Sequence, residues 1–305
     1  MSTTLVPGQY QILRDDGSKS LVYGMGAGNL QVTSTQPSPG NMTVQDQAVV
    51  GHDGVLFGVD TQAGAVITQD GIALTTPATG MYAMDAYDAL AAIWNDPVIR
   101  LAYGRYQVLR IYYRGSAVVR RVYGRGRAIQ PTMGQVYTGQ VPWTAQFQCA
   151  DNNVYEDVQS SASMVLLPSS RTVAPVTPPA TMKPASLSNT ASLTVAGSVP
   201  TWPVITFTGP VTNPSVTFSN NPVTIGYTGN LASGSTLVID TRPWARTFLL
   251  NGASAAGLMS GSPLIAMQLQ PGTVTATFGG TISGSVTPTC VVSWYNALQT
   301  IGGSY

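Results

Sequence analysis

The sequence RLAYGRYQVLRIYYRGSAVVRRVYGRGR, residues 100–127, decides the fold of the first half of the chain. It contains two runs rich in β-branched and aromatic residues, 107–114 and 117–123, on either side of the dipeptide Gly115-Ser116. A glycine at the first of two turn positions suits a type II′ turn. The stretch therefore predicts a β-hairpin.

The predicted hairpin has two unlike faces, because side chains alternate along a strand. In the register of a two-residue turn, Leu109 and Val122 lie on a mostly apolar face. The other face carries Arg110, Arg114 and Arg121, and Arg110 lies directly opposite Arg121. Since opposed like charges destabilise a sheet, the hairpin requires an anionic group against this face.

Charge is distributed unevenly along the chain. Residues 1–99 hold two basic and nine acidic residues, a net charge of −7, whereas residues 100–127 hold eight arginines and no acid, a net charge of +8. A basic run is most often a solvated face, and a nucleic-acid-binding module is an alternative. A cluster of arginines without lysine fits protein carboxylates as well as phosphates, and the acidic first third offers such carboxylates.

The composition predicts a β-rich protein whose surfaces are covered in an assembly. Charged residues make up 9% of the chain and apolar residues 44%, against about 25% charged residues in an ordinary soluble domain. The 32 glycines and 21 prolines favour many turns between short strands. No apolar run has the length of a membrane helix and no signal-peptide pattern is present, so we expect synthesis in a cytoplasm and no membrane partner.

Outward from the hairpin, the period of the apolar residues predicts the neighbouring elements. The run 143–149 alternates apolar and polar residues, which indicates a half-buried strand that ends at the turn 151–153. Residues 84–94 carry an apolar stripe at helical spacing and are followed by Asn-Asp-Pro, which predicts one helix. Short strands are predicted at 9–14 and 55–59.

The second half of the chain predicts a separate β domain. Residues 166–186 contain five prolines and indicate a semi-extended linker between domains 1–165 and 187–305. Regularly spaced short runs with turn signals then argue for an antiparallel β-sandwich. The nine runs are 192–196, 204–208, 215–218, 223–227, 236–240, 247–250, 264–269, 274–278 and 289–294. Asn251-Gly252 predicts a type I′ hairpin turn.

Four segments of the chain resemble one known family. They are GHDGVLFGVDTQAG (51–64), RRVYGRGR (120–127), AQFQCADNNVYED (145–157) and VIDTRPWARTFLLNG (238–252), and they occur in the family's order. With the spacing between them, these segments span most of the chain. On this basis the sequence resembles the distal tail, or minor tail, proteins of long-tailed bacteriophages, especially those of actinobacterial hosts. Gly126 is a departure, because the family usually has proline there.

The resemblance implies a mainly β fold. It consists of an N-terminal tail-tube-like β-barrel with the helix lying across it, and a galectin-like or carbohydrate-module-like C-terminal β-sandwich. The implied function is structural: a hexameric ring at the distal end of the virion tail, assembled in the host cytoplasm. The ring would join the tail tube protein to tail-tip or tail-fibre proteins, DNA would only pass through its lumen, and residues 33–43 would contribute inter-subunit contacts. A carbohydrate- or receptor-binding tail-tip protein is the alternative.

A ring built by repeating one head-to-tail contact needs two unlike, complementary patches on each subunit. The acidic first third and the arginine-rich stretch form such a pair. We therefore predict that some of the arginines contact carboxylates of the neighbouring subunit. The candidates are Arg110, Arg114, Arg121, Arg125 and Arg127. The alternative is that arginines and acids pair within one chain.

No residue pattern indicates catalysis, a cofactor or a metal ion. His52 precedes Asp53, but no nucleophile motif accompanies this pair. Two cysteines and one histidine do not make a usual zinc site. Cys149 and Cys290 lie on apolar faces in different predicted domains, which predicts buried free thiols.

Three aromatic residues of the second domain are candidates for sugar binding. Trp202, Tyr227 and Trp244 could stack on sugar rings, as the sandwich resembles carbohydrate modules. Aromatic residues in a sandwich are more often part of its core, which is the alternative for all three.

Overall fold

The computed structural model describes residues 4–49, 53–76, 80–166, 188–219, 222–284 and 286–300. Contacts divide the chain into two compact units. Met1–Asp157 and Leu298–Tyr305 form the N-terminal unit, and Val158–Ala297 form the C-terminal unit. His52 and all of the expected linker except Leu166 lie outside the described residues.

The N-terminal unit is built from antiparallel strands and one long helix. Its strands are β1 (Gln9–Arg14), β2 (Ser20–Gly24), β3 (Leu30–Ser38), β4 (Met42–Thr43), β5 (Gln47–Ala48), β6 (Val55–Leu56), β7 (Thr61–Gln62), β8 (Val66–Leu74), β9 (Gln107–Ile111), β10 (Arg120–Pro131), β11 (Gln140–Cys149) and the first part of β12 (Val154–Val165). Its helices are α1 (Ala83–Trp94), α2 (Pro97–Arg100) and a 3₁₀ helix at Met133–Thr138.

The main sheet of this unit is open. Its strands follow the order β2-β1-β9-β10-β11-β8-β3 and are all antiparallel. No ladder joins β2 to β3 in the described part of the chain, so the closed barrel that the resemblance implied is wrong. The reason lies in the connection, where the chain turns through Gly26 and Gly28 at φ of +71° and +78°. It resumes as a strand at Leu30, in register with β8.

The predicted helix is confirmed and belongs to the core. α1 begins at Ala83, one residue before the predicted start, and its buried residues include Tyr87, Leu90 and Trp94. The Trp94 indole N–H donates to the Gln146 carbonyl oxygen at 3.1 Å. A Cβ on Gly126 would lie 2.4 Å from the Trp94 carbonyl oxygen. This close approach leaves no room for a Cβ at position 126, which favours glycine there.

The predicted hairpin register is confirmed, but its connection is longer than expected. Arg110 pairs with Arg121 and Leu109 pairs with Val122. The ladder ends at Ile111 and Arg120, which leaves residues 112–119 as a loop instead of a two-residue turn. β9 has a second neighbour in β1, and the Tyr112 N–H continues on that side by donating to the Gln9 carbonyl oxygen at 3.0 Å.

The C-terminal unit is the expected β-sandwich. Its strands are the second part of β12, β13 (Thr190–Val195), β14 (Val204–Thr208), β15 (Val211–Phe218), β16 (Val223–Tyr227), β17 (Asn230–Leu231), β18 (Thr236–Asp240), β19 (Thr247–Leu250), β20 (Ala253–Ser254), β21 (Met259–Gly261), β22 (Gly272–Ile282) and β23 (Thr289–Leu298). One sheet has the order β12-β23-β14-β18-β19-β20, and the other has the order β13-β22-β15-β16-β21 with β17 beside β15. Their inward side chains form one core that includes Phe207, Phe218 and Phe278.

One of the nine predicted strands is wrong. Residues 264–269 contain a 3₁₀ helix at Leu264–Ala266 that follows Pro263, and only Leu269 forms an isolated bridge, to Thr201. Met267 and Leu269 are fully buried, so the run is apolar because it fills the core. The type I′ prediction is confirmed, because Asn251 and Gly252 have φ of +48° and +85° between paired Leu250 and Ala253.

The boundary between the units differs from the predicted one. Domain 1 was expected to extend through residue 165, but the C-terminal unit begins at Val158. Met164 and Leu166 are buried in the core of that unit. The proline-rich composition marked a segment that begins after the strand, and β12 itself contributes to both units.

Candidate assembly interface

Asp157 neutralises the arginine pair of the predicted hairpin. Arg110 Nε donates to Asp157 Oδ1 at 2.9 Å, and Arg121 donates to the same oxygen through Nε at 2.9 Å and Nη2 at 2.6 Å. Arg110 also donates to Asp157 Oδ2 and to Gln11 Oε1, and it is only 5% exposed. Burial raises the pKa of Asp157, but the two guanidinium groups outweigh it and hold the pKa below its ordinary value.

For Arg110 and Arg121, this geometry supports the alternative that arginines and acids pair within one chain. Both have a carboxylate partner, Asp157, in the same chain. The physical reason is the pairing of β12 with β10, which sets Tyr155 opposite Arg121 and brings Asp157 to the arginine face. The side chains of Arg110 and Arg121 are therefore used within their own chain.

Other arginines also find partners within the N-terminal unit. Arg105 Nη2 lies 2.6 Å from Asp15 and 2.5 Å from Asp16. Arg125 donates to the carbonyl oxygens of Ala102 at 2.8 Å and of Arg105 at 2.9 Å and 2.6 Å. Arg125 therefore stabilises the loop before β9 through these backbone hydrogen bonds. No described carboxylate forms an ion pair with it.

Arg114 and Arg127 are the two candidates that stay exposed. Arg114 lies in the loop 112–119 and Arg127 lies beside the bulge in β10. Neither forms an ion pair with another described residue. The predicted contact of the arginine-rich stretch with a neighbouring subunit therefore rests on these two.

A second exposed feature is the arm, which we define as residues 41–63. It leaves the sheet after β3, returns before β8, and holds two short ribbons, β4 with β7 and β5 with β6. Every side chain described in it except that of Val49 is exposed. Its apolar residues include Phe57, which is 88% exposed, and Val59, which is 76% exposed.

The Asn152 side chain forms hydrogen bonds with the backbone at both ends of the arm. Its Oδ1 accepts from the Gly40 N–H at 3.0 Å, and its Nδ2 donates to the Ala63 carbonyl oxygen at 2.6 Å. Gln148 Nε2 adds a hydrogen bond to the Gly64 carbonyl oxygen at 2.9 Å. One side chain from the turn after β11 therefore forms hydrogen bonds at both ends of the arm, where the backbone leaves the sheet and where it returns.

Asp151 is a half-buried acidic residue next to Asn152. Tyr155 Oη donates to its Oδ2 at 2.6 Å, and the Asn153 N–H donates to its Oδ1 at 3.2 Å. Burial raises the pKa of Asp151 to about 6, more than these hydrogen bonds lower it. Between an ordinary aspartate pKa of about 4 and this value, the folded protein holds a proton that the unfolded chain has lost.

We expect Asp151 to make the protein less stable as the pH rises from about 4 to about 6. The folded state binds the extra proton in that window, so raising the pH favours unfolding, by about 2–3 kcal/mol in total for this group. Asp151→Asn should remove this contribution, measured by urea unfolding across the window. Exposed Asp53→Asn is the control. An unchanged pH slope in Asp151→Asn would show that the carboxyl is solvated.

The cysteines are free and buried, as predicted. Burial raises the pKa of Cys149 to about 12 and raises that of Cys290 further. Since the thiolate is the reactive form, we expect neither to react with Ellman's reagent in the native protein and both to react after denaturation. Fast labelling of the native protein would contradict the burial, and fewer than two thiols after denaturation would reveal a disulfide.

The candidate sugar-stacking residues do not form an exposed platform. Trp202 and Tyr227 are 9% and 6% exposed, and Tyr227 stacks on Phe248 with the ring centroids 6.4 Å apart. Trp244 is half-buried in the connection between β18 and β19. Trp202 and Tyr227 are therefore buried aromatic residues, as the alternative held. Sugar stacking stays a prediction only for Trp244.

Sequence reasoning missed the residues that organise this surface. Asp157 lies 36 residues after Arg121, and Asn152 lies 112 residues after Gly40. Both come from the segment after β11. The sequence pattern predicted the strand before this segment and a turn at 151–153, but no partner for either residue. The register of β12 on β10 supplies the missing information, and no local periodicity encodes it.

Comparison with known proteins supports the assignment of the C-terminal unit. Residues 196–296 match the family model of the siphovirus-type tail component, C-terminal domain. A search of curated protein sequences finds no match.

Solved structures extend the similarity to both units. The Dit protein of phage SPP1, described as a paradigm of the hub adsorption apparatus in phages that infect Gram-positive hosts, is 12% identical. The match covers 93% of this chain and 98% of that one, with a TM-score of 0.51. A chain of the phage P2 baseplate in its activated conformation with calcium is also 12% identical, with 93% and 97% covered and a TM-score of 0.52. At this identity the likeness shows a common fold.

Proposed function

We propose that the whole chain is a distal tail hub protein, because residues 196–296 match the family model of the siphovirus-type tail component, C-terminal domain. The family match is the observation that carries the proposal. The Dit fold over 93% of the chain supports it, because the similarity includes the N-terminal unit that the family model does not reach. The protein is thus a structural component of a phage tail.

The proposed hub is a ring of six copies at the distal end of the tail. One face would join the tail tube protein and the other would join tail-tip or tail-fibre proteins, with DNA only passing through the lumen. Only 9% of the residues are charged, which supports the proposal that other subunits cover much of the surface. Among the described residues, no helix is long and apolar enough to span a bilayer.

The proposed role is structural and not enzymatic. A tail component acts by contact, and several charged groups of the N-terminal unit are used in ion pairs within that unit. In the described part of the chain, no three His, Cys, Asp or Glu side chains are grouped as a metal site would require.

Gold-labelled antibodies against the chain test its place in the virion. We expect label at the distal end of intact tails, between the tube and the tip. Label on peripheral fibres, together with glycan binding that Trp244→Ala abolishes, would support the carbohydrate-binding alternative instead. Label along the tube or on the head would contradict both.

A further inference from the structure

The N-terminal unit contains a cavity with a volume of about 390 Å³. Its wall is formed by the end of β3, positions 62, 65 and 67, Val122 of β10, the turn between β11 and β12, and positions 299–300. All of these residues belong to the N-terminal unit. Small-molecule sites in proteins have volumes of about 300–1,000 Å³, so the cavity is large enough to hold a ligand.

The buried part of the cavity wall is apolar. It consists of Ile67, Val122, Cys149 and Val154, which are 1%, 2%, 4% and 5% exposed. Aliphatic side chains do not hydrogen-bond water, so a cavity that they line binds apolar groups in preference to water. The buried part therefore selects an apolar ligand.

The mouth of the cavity is polar and uncharged. Ser38, Gln62 and Gln299 line the cavity and are exposed, and the half-buried Asn152 and Asn153 add two further amide groups. An amide can both donate and accept hydrogen bonds. None of the described residues that line the cavity is charged. The lining therefore suits a ligand with a polar end and disfavours an ion, because a charge that leaves water without a partner is strongly destabilised.

Hydrogen bonds hold the cavity wall in place. Ile67 lies in β8 and is paired with Pro37 of β3. The Cys149 N–H donates to the Ala65 carbonyl oxygen at 2.7 Å. The Asn152 side chain forms its two hydrogen bonds with the backbone beside the mouth. A preformed site of this kind needs little rearrangement when a ligand binds, so the ligand contacts contribute directly to affinity.

We propose that this cavity binds a small uncharged molecule that is mostly apolar and has a hydrogen-bonding group at one end. The apolar part contacts Ile67, Val122 and Val154, and the polar end lies at the amide groups of the mouth. This binding site is separate from the proposed hub function and does not depend on it.

Indole and indole-3-carboxylate test the chemistry of the ligand. Indole is uncharged and apolar and has one N–H donor, whereas indole-3-carboxylate adds a charge to the same rings. In titration calorimetry with the full-length protein, indole should bind with a dissociation constant on the order of 0.1–1 mM, as expected for about nine non-hydrogen atoms. Indole-3-carboxylate should bind at least about 10-fold more weakly. Equal affinities, or no binding of indole, would overturn the inference.

A substitution inside the cavity tests the location of the site. Ala65 lines the cavity two residues before Ile67, on the same face of the chain. Ala65→Leu should weaken indole binding at least about 10-fold, because the larger side chain takes the space of the ligand in a close-packed site. Its melting temperature should stay at or above that of the wild type, since it fills the cavity with apolar atoms.

Ala89→Leu is the matched control for this substitution, because Ala89 is exposed on α1 and does not line the cavity. It should bind indole as the wild type does. A folded Ala65→Leu protein with the indole affinity of the wild type would show that the ligand binds elsewhere.

A photoreactive indole locates the site without any substitution. Indole with a diazirine group should label the wild-type protein within residues 62–67 or 149–154, as mapped by mass spectrometry, and unmodified indole should compete with the label. Label only in other segments would contradict the proposal even if Ala65→Leu fails to fold.

The oligomer mass separates a small-molecule ligand from a side chain of another copy. Ala65→Leu should leave the oligomer unchanged. If Ala65→Leu dissociates the oligomer and Ala89→Leu does not, the cavity receives a side chain of a second copy and the inference is wrong. Failure of indole to bind would leave the hub function untouched, because that function is tested by the position of the chain in the virion.

Discussion

Asp157→Asn should lower the free energy of unfolding of the N-terminal unit by about 3 kcal/mol, because it removes the carboxylate charge that two largely buried guanidinium groups, those of Arg110 and Arg121, share. An asparagine at this position keeps the shape of the side chain, so the loss reports the charge. Urea unfolding at neutral pH measures it. Asp16→Asn is the control, because Arg105 keeps Asp15 as a second partner and the change in stability should be much smaller.

The same cluster predicts how assembly responds. Arg110→Gln with Arg121→Gln should lower the melting temperature of the single chain, and under conditions in which the chain stays folded the oligomer should persist. Selective loss of the oligomer with an unchanged melting temperature would show that Arg110 and Arg121 act between subunits after all. Comparable stability of Asp157→Asn and the wild type would show that the charge of Asp157 does not stabilise the N-terminal unit.

A C-terminal fragment that begins at residue 158 should fold, whereas one that begins at residue 187 should be far less stable. The shorter fragment lacks the part of β12 that pairs in the sandwich and two core side chains, Met164 and Leu166. Loss of each buried side chain of this size costs about 2–5 kcal/mol. Since a domain has only about 5–15 kcal/mol of stability, the shorter fragment should be marginal or unfolded.

Thermal melting of both fragments by circular dichroism measures this difference. Within the full chain, Met164→Ala should destabilise the C-terminal unit, and Val158→Ala, at a site 75% exposed, is the matched control. If the fragment from residue 187 melts as cooperatively and at the same temperature as the longer one, β12 belongs to the N-terminal unit alone. The boundary predicted from the sequence would then be correct.

Local patterns predicted most of the strands and the register of the central hairpin. The pairing of Arg110 with Arg121 followed from strand periodicity, and so did the need for an anion against them. The identity of that anion did not follow, because the acidic first third was the more obvious source. Asp157 reaches the pair through the β10–β12 ladder, a contact between segments that no spacing rule connects.

The arm and the open sheet were not predictable for a related reason. Apolar and polar residues alternate weakly over 41–63, and nearly all of the side chains that the structure describes there are exposed. The apolar residues that normally mark a buried strand therefore mark an uncovered surface here. The run 264–269 differs in the opposite way, because its apolar residues are buried although they do not form a strand. Its apolar residues are core residues, but Pro263 begins a 3₁₀ turn that places them there without a strand.

The mass of the native oligomer tests the central claim, that this chain forms the closed ring of a distal tail hub. Native mass spectrometry of the purified full-length protein should show one dominant species of six chains of 31.9 kDa each, about 190 kDa. A monomer at micromolar concentration, or an open-ended series of masses without a preferred number of copies, would contradict the claim.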